Sequence, residues 1–162
     1  MDYQTLDNIA DSYIPMLAII AFFASIFVPS GFHSRIKITI YRLGCVCTLL
    51  SVAYGFMFLD NTYAIWPNLG LDYSTHTAVS SVLVLFLILL IPLLSVLWIT
   101  SLVVYYILMI YQQYHAISDI ISTDIVLFSV IAFIVFIVNY IKPGSPSNSD
   151  KMAYILPFMR KI

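Results

Sequence analysis

Charged side chains are scarce in this chain: Asp, Glu, Lys and Arg make up 9% of its 162 residues, against 62% that are hydrophobic. A water-soluble domain carries about 25% charged and about 45–50% apolar residues. No aqueous surface could cover this much apolar area, so a soluble fold is excluded and lipid must solvate most of the chain. The net charge of −1 offers no basic surface, which excludes a nucleic acid as partner. Cysteine is nearly absent. Cys45 and Cys47 lie two apart in an apolar run and point to different helix faces, so they build neither a disulfide framework nor a zinc ribbon. The first twelve residues hold Asp2, Asp7 and Asp11 but no Lys or Arg, the reverse of a secretory leader. The first apolar run is therefore expected to stay as a membrane helix. No internal repeat is visible.

Long apolar runs are what the chain does have. A helix needs about 20 apolar residues to cross about 30 Å of hydrocarbon. One span is expected over about 14–28, stopping at Pro29-Ser30-Gly31, and a second over about 38–59, stopping at Asp60-Asn61. A polar segment with Trp66 and several Tyr follows over 60–75, suited to an interface. A further span covers about 120–141. The apolar stretch 77–111 would be about 52 Å long as one helix, too long for one crossing. A hairpin turning near Pro92 to Ser95 divides it in two.

Charge chooses the hairpin. With five spans, Arg35, Lys37, Arg42, Lys142, Lys151, Arg160 and Lys161 fall on one side, and these are all the Lys and Arg residues of the chain. The positive-inside rule then places the N-terminus outside and the C-terminus in the cytoplasm. The expected fold is an all-α, polytopic membrane bundle of five transmembrane helices over 1–141, in the cell membrane. Residues 142–162 form a cytoplasmic linker and a short apolar, basic tail suited to the membrane surface.

Ionisable groups at membrane depth are expensive, so they mark where function is sought. Two clusters stand out: Asp72-Tyr73-Ser74-Thr75-His76-Thr77 before the third span, and His115-Ala116-Ile117-Ser118-Asp119 before the fifth. Both are expected on the outer side. Within each, His and Asp are four apart and would share a helix face. Helix capping by Ser74, Thr75 and Asp119 is the plain structural alternative.

Ser74-Thr75-His76-Thr77-Ala78, a helical hairpin, then His115-x-x-Ser118-Asp119 resembles the type 2 phosphatidic-acid phosphatase superfamily. Its members open one helix with a PSGH-type element and, after a hairpin, another with SR-x5-H-x3-D. "HAISDII" is similar to that family's "HYPSDVL", and "GLDYSTHT" to elements of its sphingomyelin-synthase branch. The likeness covers about residues 70–130. It implies hydrolysis or transfer of a lipid-linked phosphate without a cofactor. His115 would be the nucleophile, Asp119 would orient its ring, and His76 would protonate the leaving oxygen. Ser74 and Thr75 would hydrogen-bond phosphate oxygens at the helix start, with Asp72 beside them.

The family's basic residues have no counterpart here. Leu108 and Met109 stand in the place of the Ser-Arg pair, and Arg35-x6-Arg42 lies across the membrane from His115. Pro29-Ser30-Gly31-Phe32-His33 imitates PSGH but reads as a turn on that opposite side. A site of Asp72, His76, His115 and Asp119 without a cation also fits a divalent metal, Zn²⁺ or Mg²⁺, in a membrane hydrolase or cation site. A third reading is a non-catalytic membrane subunit, alone or oligomeric, whose polar outer cluster and Tyr-rich faces (Tyr105, Tyr106, Tyr111, Tyr114, Tyr140) bind a lipid or a partner protein.

Overall fold

The computed structural model describes residues 3–29 and 34–141, and these are almost entirely helical. The tail over 142–162 and the turn over 30–33, including His33, lie outside the described residues. The helices are α1 (Tyr3–Phe27), α2 (Arg35–Tyr63), α3 (Thr75–Leu90), α4 (Ser95–Tyr111) and α5 (Ile117–Ile141). Stretches of α1, α2, α4 with its preceding turn, and α5 are long and apolar enough to cross a membrane. The expected hairpin is present. α3 stops at Leu90, a 3-10 turn over Pro92–Leu94 reverses the chain, and Ser95 begins α4. Pro92 has no N–H to continue α3 and bars the helical conformation at Ile91, which takes φ −131° and ψ 72°.

The shortest helix is at the centre. At 16 residues α3 is about 24 Å long, yet it packs against all four other helices. Its burial is nearly complete, with Val82 and Leu87 at 0% exposure and Leu83 at 1%. Small side chains at Thr77, Ala78, Ser80 and Ser81 let its neighbours approach closely, which is how helices associate without a hydrophobic drive between them. A helix wrapped in protein need not match the hydrocarbon thickness itself. The outer helices turn large apolar residues outward, among them Phe27, Val96, Ile107 and Ile125.

The connectivity gives the bundle two different ends. At one end the first turns of α1, the end of α4 and the start of α5 meet, with Ala10, Tyr105, Met109 and Ile120 in one apolar cluster. Tyr13 stacks on Tyr105 there, with ring centroids 4.3 Å apart, and its hydroxyl bonds Ser101 Oγ at 3.0 Å. Asp7, Asp11, Asp60, Asp72 and Asp119 all belong to this end. At the other end Arg42, only 4% exposed, donates from Nη1 to the carbonyls of Ser25 (3.3 Å) and Val28 (2.8 Å). These are carbonyls of the last turn of α1 and just beyond, where a cation also suits the helix dipole. Arg42 is therefore a structural cap remote from His115.

The connection from α2 to α3 is folded over the acidic end. Ala64 ends α2 in the left-handed region (φ 50°), and its N–H reaches the Asp60 carbonyl. The Asp60 carboxylate accepts from the Trp66 amide at 2.7 Å. Trp66 is then driven inward to 3% exposure, edge-on to both Phe56 and Tyr73, with its indole N–H on Ser122 Oγ at 3.2 Å. Tyr73 is also buried and donates its hydroxyl to the Ala53 carbonyl at 2.7 Å. Trp66 and Tyr73 thus plug the top of the bundle, while Tyr63 is exposed.

Candidate functional site

Two local devices place His115. α4 ends in a Schellman pattern: Gln113 is left-handed (φ 59°), Tyr114 N–H returns to the Met109 carbonyl, and Gln113 N–H to that of Ile110. α5 begins three residues after Tyr114, and Asp119 in its first turn reaches back to the Ala116 amide at 2.9 Å. That bond is half of a capping box. Asp119's other oxygen accepts the Asp72 amide at 3.0 Å, and Thr123 Oγ1 accepts the Ser74 amide at 3.1 Å. The first two turns of α5 thus stitch down the strand of chain that leads into α3.

This stitching pairs the residues differently from their order in sequence. Neither His–Asp pair shares a helix face, because Asp72 and His115 both lie outside helices. His115 instead meets Asp72 across the two connections, with Nδ1 3.3 Å from Asp72 Oδ2. The ring nitrogen is not aligned for a hydrogen bond, so at this distance the pair is held by charge when the ring is protonated. No hydrogen bond joins Asp119 to the ring; both its oxygens serve backbone amides. His76, in the first turn of α3, is exposed and close enough to act electrostatically on His115.

The remaining residues divide by depth. Ser74 caps α3, accepting from the Thr77 amide (3.2 Å) and hydroxyl (2.8 Å), and is fully buried. It faces the protein and not the surface. Thr75 and His76 follow it on the outer side of α3. The starts of α3 and α5 lie at the same end, so amides lacking intrahelical carbonyls, at Thr75, His76, Ile117 and Ser118, present two positive helix ends near His115. Among the described residues no three His, Cys, Asp or Glu side chains converge on one position that could hold a metal ion, Asp72, His76, His115 and Asp119 included. Arg35, Lys37 and Arg42, the Lys and Arg residues described, begin α2 at the opposite end.

Burial pulls the His115 pKa below its ordinary value of 6.5; Asp72 and Asp119 push it partly back up, and His76 adds to the lowering. His115 is thus neutral at pH 7, the form that can act as a nucleophile. Because the folded value lies below the unfolded one, the unfolded chain binds more protons between them. The stability His115 contributes is therefore present above pH 6.5 and lost as pH falls through the folded value. Asp72→Asn removes a charge that favours the imidazolium, so it should lower the His115 midpoint further. An NMR titration of the imidazole resonances checks this, and an upward shift would contradict the pairing.

A second polar cluster, not singled out from the sequence, lies deeper. Asp124 of α5 accepts from Ser81 of α3 at 2.7 Å and from Tyr106 of α4 at 2.8 Å, and Ser81 and Tyr106 also touch. A carboxylate two turns inside an apolar helix is the available signal. It ties α3, α4 and α5 together. No protein-family model, curated protein or solved structure matches the chain.

Proposed function

We propose that the chain is an integral membrane protein of five spans that hydrolyses or transfers a lipid-linked phosphate group at its acidic, extracytoplasmic end. The observation that carries this reading is the pairing of His115 with Asp72 at the end of the bundle where α3 and α5 begin, with His76 in the first turn of α3. His115 attacks phosphorus through Nε2. Asp72 takes the orienting part, since it and not Asp119 faces Nδ1. His76 protonates the leaving oxygen, and the free amides that begin α3 and α5 hold the phosphate oxygens. Asp119 is a positioning residue: it fixes Asp72 and Ala116 on either side of His115.

The sidedness rests on the separation of charge. Arg35, Lys37 and Arg42 lie opposite the aspartate-rich end, which supports a cytoplasmic C-terminus and an outer N-terminus. Tags at the two termini, probed in intact and permeabilised cells, should report opposite sides. Termini on the same side would remove the common end on which the site depends. Activity itself is tested by supplying purified protein in vesicles with lipid phosphates and measuring the phosphate or alcohol released. Activity that survives EDTA fits the reading, whereas loss on chelation and return with Zn²⁺ or Mg²⁺ would favour a metal.

A further inference from the structure

Ser81, Tyr106 and Asp124 come from three helices and take no part in the site around His115. They lie six, five and seven residues along α3, α4 and α5 from the end that carries it, about 8–10 Å of helix. Ser81 is 1% exposed, and Tyr106 and Asp124 are partly buried. Ser81 Oγ is 2.7 Å from Asp124 Oδ1, and Tyr106 Oη is 2.8 Å from Asp124 Oδ2. The two hydroxyls are themselves in hydrogen-bond contact. One carboxyl and two hydroxyls therefore close a ring with three oxygen–oxygen contacts.

Three contacts of this kind need three protons. Each hydroxyl brings one, and an ionised carboxylate brings none. With Asp124 ionised, both hydroxyl protons point at the carboxylate. Ser81 Oγ and Tyr106 Oη then face each other with no proton between them. One proton on the carboxyl removes the conflict. The carboxyl donates to one hydroxyl, that hydroxyl donates to the other, and the second donates back to the remaining carboxyl oxygen. The ring can run in either sense, because the heavy atoms alone do not fix where the hydrogens lie. Each hydroxyl gives one bond and accepts one, the arrangement in which hydrogen bonds strengthen one another.

The surroundings agree with a neutral carboxyl. Among the described residues Asp124 has no ion-pair partner, and Arg35, Lys37 and Arg42 begin α2 at the opposite end. Tyr13 of α1 is close enough to act electrostatically on Tyr106, but its hydroxyl is engaged with Ser101 Oγ. Among the described residues α2 brings no charged group to Asp124. A carboxylate away from water and without a counter-charge is costly, and a proton removes that cost. A metal ion is a poor substitute, since oxygens already at hydrogen-bond distance from one another leave no space between them.

We propose that Asp124, Ser81 and Tyr106 form a proton-binding site, in which one proton held on Asp124 closes a hydrogen-bonded ring across α3, α4 and α5. The site does not depend on phosphate transfer at His115, and either reading can fail alone. Only O–H bonds are exchanged: hydronium gives the proton to the carboxylate on loading, and water takes it back on release. Release leaves the two hydroxyl oxygens opposed and loosens the contact between the three helices.

The test is infrared difference spectroscopy on the full chain in vesicles at pH 7, wild type against Asp124→Asn. The wild type should show one additional carbonyl band of a protonated carboxyl, and this band should shift in D₂O. Tyr106→Phe and Ser81→Ala should each move it, because each removes a hydrogen bond to the carboxyl. Carboxylate bands in the difference, with nothing in the protonated region, would overturn the proposal. Thermal unfolding supplies a second reading. Asparagine offers a donor on one side and an acceptor on the other, as the neutral acid does. Asp124→Asn should therefore unfold at the wild-type temperature, and Asp124→Ala roughly 4 °C or more below it. A protonated band that neither Tyr106→Phe nor Ser81→Ala moves, or an Asp124→Asn protein that fails to fold, also overturns the proposal.

Discussion

Replacing His115 by alanine should lower turnover of a lipid phosphate by roughly 10,000-fold or more while the protein still folds. The side chain is 12% exposed and makes no aligned hydrogen bond, so its removal breaks nothing that holds the connections together. Those connections are held by the Schellman turn after α4 and by Asp119 and Thr123, which do not involve the imidazole. A nucleophile is different from a group that helps it, because no neighbouring residue can form the covalent bond in its place. Asp72→Asn should be milder, since it leaves the ring present but loosely oriented. The check is activity in reconstituted vesicles alongside the helical circular dichroism of each variant. Near-normal turnover by His115→Ala would remove the phosphohistidine mechanism.

Trp66→Ala should be the most damaging change outside the helices, lowering stability by about 3–5 kcal/mol. The indole is buried against Phe56 and Tyr73, and its N–H reaches α5 through Ser122. Removing it opens a cavity beneath the segment that carries Asp72 into place. Activity should therefore fall with stability. Trp66→Phe keeps most of the packing and loses the bond to Ser122, worth about 1 kcal/mol. Thermal unfolding in detergent distinguishes the two. A loss no larger in Trp66→Ala than in Trp66→Phe would show that packing at this plug is not what holds the connection.

The helices were legible in the sequence because lipid leaves few options. Backbone groups in hydrocarbon must be satisfied within the segment, so an apolar run becomes a helix, and Pro92 marks where one run becomes two. The separation of Arg35 and Arg42 from His115 was legible for a related reason, since alternating spans sort loops by side. The side-chain partners were not legible. Spacing of four paired His115 with Asp119, but that spacing has meaning only on a helix, and the Schellman turn puts His115 outside one. Asp119, freed from that role, caps α5 and binds the Asp72 amide. Ser74 matched a phosphate-binding pattern, yet the fold uses its hydroxyl to start α3 and buries it. The clamp of Asp124, Ser81 and Tyr106 spans 43 residues of chain, and no local pattern links its members.

The most direct test of the account is to quench the protein during turnover under neutral or alkaline conditions and search for a covalent adduct by mass spectrometry. A phosphoryl or phosphoryl-ester group should be found on the peptide containing His115, should be labile in acid as a phosphorus–nitrogen bond is, and should be missing in His115→Ala. Steady turnover with no adduct on His115, or an adduct on another residue that persists in His115→Ala, would contradict it.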